Sequence, residues 1–134
     1  MLPLKFPRLW LSAGWLAVVL AVVVSLLPPQ DIAAVQVNDK VEHITGYVLL
    51  TLWFAGIYPR SRYAAIALGL FVLGIAVEWA QGAMNLGREC DIHDVFANTT
   101  GIAIGMGLAL AFLGGWAQKV EGWFWPQRAR GWPR

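Results

Sequence analysis

Four apolar runs, each close to the length of a membrane span, alternate with short polar intervals along the chain. A helix needs roughly 20 mostly apolar residues to cross the hydrocarbon core of a bilayer. Residues 9–27 form the first run and stop at Pro28 and Pro29. Residues 40–58 form the second and stop at Pro59, and 63–84 and 94–116 form the third and fourth. Proline ends a helix because it lacks an N–H and its ring clashes with the preceding turn. The pattern predicts an all-α, polytopic membrane protein built as a four-transmembrane-helix bundle. Lys5 and Arg8 before the first run resemble the start of a signal peptide. That run exceeds the roughly 7–15 apolar residues of such a segment, and no small-residue cleavage site follows promptly, so it reads as a retained helix.

The few polar positions inside these runs follow helical spacing. Residues three and four apart share a helix face. Asp39, His43 and Tyr47 step by four, Glu78 and Gln81 by three, and Asp91, Asp94, Asn98, Gly101 and Gly105 by alternate threes and fours. The last stripe is polar above and small below. Gly101 and Gly105 form a small-xxx-small pair, which lets helix backbones approach closely; Gly69 and Gly74 are expected to act similarly on the third helix. The start of helix two, the end of helix three and the start of helix four lie at one depth in such a bundle. Asp39, Lys40, His43, Glu78, Arg88, Asp94 and Asn98 are therefore expected to meet in one pocket near a single membrane face.

Charge sets the expected orientation. Arg and Lys favour short cytoplasmic loops. Lys5, Arg8, Arg60, Arg62, Lys119, Arg128, Arg130 and Arg134 fall on one side, leaving only Lys40 and Arg88 of the ten basic residues on the other. The acids are reversed, with Glu121 alone on the basic side. Both termini are expected to be cytoplasmic, in the cytoplasmic (inner) membrane, with the polar cluster at the outer leaflet. A hydrophobic content of 58% and only 13% charged residues in 134 separate the chain from soluble domains, which carry about 25% charged residues. A net charge of +2 with scattered basic residues gives no reason to expect nucleic acid. The lone Cys90 cannot form an internal disulfide and reads as a small buried or interfacial residue. No boundary divides residues 1–134, which read as one domain. The tail 117–134, rich in Trp and Arg, suits the membrane interface, where rings and basic side chains are both favoured.

Each polar residue also has a plainer reading. Asp39, Asp91 and Asp94 suit helix N-termini, where carboxylates meet the positive dipole end. Lys40 can snorkel to headgroups, Tyr47 can be aromatic packing, and His43 and Asn98 can be interhelical hydrogen-bonding groups. His93 reads as exposed loop. Glu78 is harder to dismiss. It lies between Val77 and Trp79, and an ionised acid in hydrocarbon costs several kcal/mol unless neutral or paired.

The segments "DKVEHITGY" (39–47), "EWAQ" (78–81) and "RECDIHDVFANTTGIAIG" (88–105) resemble the VanZ-like family of bacterial membrane proteins. The matching positions are Asp39, Lys40, His43, Tyr47, Glu78, Gln81, Arg88, Asp94, Asn98 and Gly101, and the resemblance covers about residues 38–107. Asp91 and His93 fall at variable positions of the pattern, and the Trp-rich tail has no counterpart in it. The resemblance implies a multi-pass protein of the bacterial envelope, from a family named for a member linked to low-level teicoplanin resistance. It names no reaction.

Three functions fit these residues. The leading one is a binding protein whose polar pocket takes a cell-envelope lipid headgroup, a lipid-linked envelope precursor or a glycopeptide-type antibiotic, with Asp39, Lys40, Tyr47, Gln81, Arg88 and Asn98 as contacts. A second is an outer-leaflet enzyme using His43, Glu78 and Asp94 for acid/base chemistry on a lipid-linked or phosphate-bearing substrate. A third is an accessory subunit of another membrane protein. The spacing of His43, Glu78 and Asp94 carries no strong metal signature. The sequence calls for no cofactor, and membrane lipids are the partners it implies, with no oligomeric state specified.

Overall fold

The computed structural model describes residues 1–27, 39–84 and 91–125. Its elements are α1 (Pro7–Leu26), α2 (Asp39–Ile57), a 3₁₀ turn (Arg60–Arg62), α3 (Tyr63–Met84), α4 (Ile92–Leu108), a π-helical turn (Ala109–Leu113) and α5 (Trp116–Phe124). All regular structure among the described residues is helical. Three helical stretches, 7–26, 60–84 and 92–113, are long and apolar enough to cross a membrane. α2 has 19 residues but carries Lys40, Glu42 and His43 in its first turns, which lower its hydropathy. Its place in the bundle makes room for them, because α2 packs against α1, α3, α4 and α5.

Burial on α3 recurs at Leu70, Gly74, Val77, Glu78 and Gln81, and on α4 at Asp94, Ala97, Asn98, Gly101, Ile102 and Gly105. Both sets follow the three-and-four spacing of one helix face. The opposite faces stay apolar: Leu9, Leu16 and Leu20 on α1 and Leu68, Val72 and Trp79 on α3 are all more than half exposed. Such continuous outward apolar surface belongs against lipid rather than water.

The closest helix pair is α2 with α4, and the α4 glycines make it so. A Cβ on Gly101 would stand 2.5 Å from the Ile44 carbonyl oxygen, and one on Gly105 would stand 2.7 Å from Thr51 Cβ. Gly74 has neighbours at 3.2 Å, but Gly69 has none within 4 Å, so the expected close approach at Gly69 is not found. Instead Gly69 lines an apolar groove between α1, α2 and α3.

The fourth apolar run does not continue as one helix to Trp116. The Gly114 N–H donates to the Ala109 carbonyl five residues back at 2.8 Å, and Gly115 takes a left-handed φ of 68°. Glycine adopts that conformation without the Cβ penalty. The chain thereby turns and starts α5, which folds back on α2. Trp116 donates its indole N–H to the Leu52 carbonyl at 2.9 Å, and its ring packs edge-on against Trp10 and Trp53 with centroids 5.2 and 5.3 Å away.

α5 also holds the N-terminus. Glu121, only 7% exposed, accepts the backbone N–H groups of Lys5 and Phe6, the latter at 3.0 Å, and the Trp10 indole N–H at 2.8 Å. Lys5 and Phe6 immediately precede α1, so Glu121 serves as its N-terminal cap from a distant part of the chain. Residues 1–6 and α5 thus close one end of the bundle. The segment beyond residue 125, with Arg128, Arg130 and Arg134, lies outside the described residues.

Candidate functional site

At the opposite end of the bundle, three helices bring their polar faces together. α2 contributes Lys40, His43 and Tyr47, α3 contributes Glu78, and α4 contributes Asp94 and Asn98. His43, Glu78, Asp94 and Asn98 are 8%, 1%, 7% and 2% exposed. Burial this complete is unusual for acids and is sustained by polar neighbours.

His43 stands at the centre. Its Nδ1 lies 2.8 Å from Asn98 Oδ1. An amide oxygen only accepts, so Nδ1 carries the proton in this pair. The other ring nitrogen, Nε2, lies 3.9 Å from Asp94 Oδ2. On the other flank Glu78 Oε1 is 4.0 Å from Nδ1. The ring is therefore held between two carboxylates at distances just beyond hydrogen bonding.

Lys40 sits at the mouth of this cluster with half of its side chain exposed. Its ammonium is 3.4 Å from Asp94 Oδ1 and 3.5 Å from Asp91 Oδ2. Asp91 caps α4 by accepting the His93 N–H at 2.9 Å, and the His93 ring Nδ1 lies 2.7 Å from the same oxygen. The His93 backbone and ring N–H groups hold the Asp91 carboxyl below its ordinary value against a smaller opposing effect of burial. His93 is on the first turn of α4 and exposed.

Tyr47 and Gln81 take positions beside the cluster. The Tyr47 hydroxyl and Asn98 Nδ2 flank Gly74, each 3.2 Å from where a Cβ would be. Gln81 donates its amide to the Ser25 carbonyl at 2.7 Å, which ties α3 to the end of α1. Arg88 and the side chain of Asp39 lie outside the described residues. Against α2 the cluster meets a cavity of about 280 Å³, lined on one wall by Leu20, Ala21, Val24 and Ser25 of α1 and on the other by Glu42, His43 and Tyr47.

Sequence patterning gave no role to Glu121, which the fold buries at the far end. Its signal was a single acid in the aromatic stretch "WAQKVEGWFW", four residues after Ala117, the other buried residue of α5. Burial pushes its carboxyl up, but the N–H donors of Lys5, Phe6 and Trp10, with the Lys5 charge, outweigh that and hold it below 4.5.

A family model described as VanZ/LLP1 matches residues 13–113. The chain belongs to the VanZ/LLP1 family. The match takes in α1 as well as the 38–107 stretch that carries the motifs. An uncharacterized protein of Schizosaccharomyces pombe is 29% identical over 99 residues, covering 71% of this chain and 60% of that protein. The chain thus spans under two thirds of that relative's length. No solved structure matches. Family membership and the three apolar helices make this a membrane protein of VanZ/LLP1 type.

Proposed function

We propose that this VanZ/LLP1 protein binds the polar headgroup of a membrane lipid in the cluster around His43, with part of the lipid's chain in the adjoining cavity. The observation that carries this reading is the juxtaposition of a buried His43–Glu78–Asp94 group with an apolar slot whose wall includes His43 itself. An amphipathic ligand needs both surfaces at once. Lys40, half exposed at the mouth, supplies a positive charge suited to a phosphate or carboxylate group, and Arg88 is assigned the same role on sequence grounds. Tyr47, Gln81 and Asp39 complete the contacts in this reading. The similarity to a Schizosaccharomyces pombe protein, 29% identical over 99 residues, favours a ligand class not confined to bacteria over a glycopeptide antibiotic. Low-level teicoplanin resistance is then a consequence of altered surface lipids.

In this reading α2 also spans the membrane, giving four transmembrane helices. Both termini face the cytoplasm and the cluster faces the outer leaflet of the inner membrane. Support comes from the helix order, which places residues 1–6 and α5 at one end and His43, Glu78 and Asp94 at the other, and from the Lys and Arg distribution. Native mass spectrometry of the purified chain tests the binding. A phospholipid-sized adduct that survives delipidation is expected, and Lys40→Ala should weaken it. An adduct equally strong in Lys40→Ala and His43→Ala sinks the reading.

A second reading, catalysis on the bound lipid, is favoured by one feature: Asn98 fixes the tautomer of His43 and leaves Nε2 facing Asp94. Positioned imidazole and carboxylate groups can move protons. Here Glu78→Gln abolishes product formation from labelled lipid while sparing binding; loss of binding in that variant argues against it.

A further inference from the structure

The geometry points to His43, Glu78 and Asp94 as a three-ligand site for a divalent first-row transition cation of the Zn²⁺ or Mn²⁺ class. One ligand atom from each residue can be chosen so that all three lie within 4.8 Å of one another. The edge of a tetrahedron with 2.0 Å metal bonds is about 3.3 Å, so closure needs the ligand atoms to approach one another by up to about 1.5 Å. One imidazole nitrogen and two carboxylate oxygens form a mixed donor set suited to these ions rather than to the all-oxygen shells preferred by Ca²⁺ and Mg²⁺.

Two further features support a metal rather than a simple ion pair. Ligating histidines usually donate their other ring N–H to an oxygen, and ligating carboxylates are themselves held. Asn98 Oδ1 takes the Nδ1 proton of His43 at 2.8 Å, which leaves Nε2 as the ring nitrogen on the Asp94 side, and Lys40 holds the second oxygen of Asp94 at 3.4 Å. Moreover, Asn98 Nδ2 is buried and has no hydrogen-bond partner among the described residues. It belongs to the same amide that orients His43 and lies beside Gly74, so the polar cluster has an unused donor.

The cation and the lipid are independent expectations, since either can bind without the other. The test uses the full, tag-free chain in detergent, stripped by a chelator, delipidated and dialysed against Zn²⁺, Mn²⁺, Mg²⁺ or Ca²⁺ alone. About one Zn²⁺ or Mn²⁺ per chain is expected by elemental analysis, with Mg²⁺ and Ca²⁺ bound far more weakly. His43→Ala and Asp94→Asn should each weaken binding at least about 100-fold, Asn98→Ala about 10–100-fold, and His93→Ala should leave it unchanged. X-ray absorption of the Zn²⁺-loaded wild type reads the ligands without any variant: one imidazole nitrogen with oxygen donors is expected. No stoichiometric ion, unaltered affinity in His43→Ala, or a shell of sulfur or of oxygen alone overturns the assignment.

Discussion

The two ends of this bundle both bury acids, and they treat them differently. At the end closed by α5, Glu121 accepts three N–H groups, two from the backbone before α1 and one from Trp10. Every partner is a fixed donor, and the carboxylate joins chain segments more than 100 residues apart. At the other end Glu78 and Asp94 flank His43 at 4.0 and 3.9 Å, outside hydrogen-bonding range, with Lys40 reaching in from the mouth. The first arrangement spends its charge on holding backbone. The second keeps titratable groups close to one another and next to a cavity. A buried carboxylate in a membrane protein therefore does not by itself mark function; its partners decide.

The comparison can be broken by substitution. The largest effect is expected for Gly101→Leu, which drives a side chain into the Ile44 carbonyl and Tyr47. Overpacking against backbone has no cheap relief, and a loss of more than about 3 kcal/mol is expected. Reduced yield and a collapsed melting transition would check it. Glu121→Ala comes next, at about 2–4 kcal/mol, because three N–H groups lose a charged acceptor. Ligand affinity at the far end should be unchanged at temperatures where the protein stays folded. If affinity falls as well, the two ends are coupled and the contrast fails.

Glu78→Gln should have the opposite signature: stability within about 1 kcal/mol of the parent or above it, since strained polar sites carry a stability cost, with loss of ligand or metal binding. Destabilisation as large as that of Glu121→Ala, with binding intact, would make Glu78 a structural group too.

Acid offers a finer test. The Glu121 carboxyl is held below its ordinary 4.5, so the unfolded chain binds the proton more tightly. The stability it contributes is present above about pH 4.5 and is lost as pH falls through its lower folded value. Glu121→Gln should flatten the acid limb of thermal stability below that pH. An identical limb in the variant removes the clasp from the account. The smallest effect is expected at Trp123, which is 80% exposed: Trp123→Ser should change stability in detergent by no more than about 0.5 kcal/mol, while weakening association of the α5 end with anionic bilayers.

By itself the sequence determined the helical class, the boundaries of three helices to within about two residues and the sorting of polar groups to one end, since these depend on local quantities. Apolar run length sets a span, proline sets its end, and three-and-four spacing sets a face. Helix order then places His43, Glu78 and Asp94 at one depth without coordinates. What the tertiary structure decided depends on contacts between distant segments. Only packing shows that Asn98 fixes His43 while Gln81 turns to Ser25, that Gly69 faces open space while Gly101 meets Ile44, and that α1 completes the cavity. The same holds for Glu121. Spacing within α5 marks it as one acid on a short helix, and its partners come from the other terminus, brought there by the left-handed turn at Gly115. A pattern read along the chain records which face a residue occupies, and the distances that make that face a clasp or a site arise only when other helices pack against it.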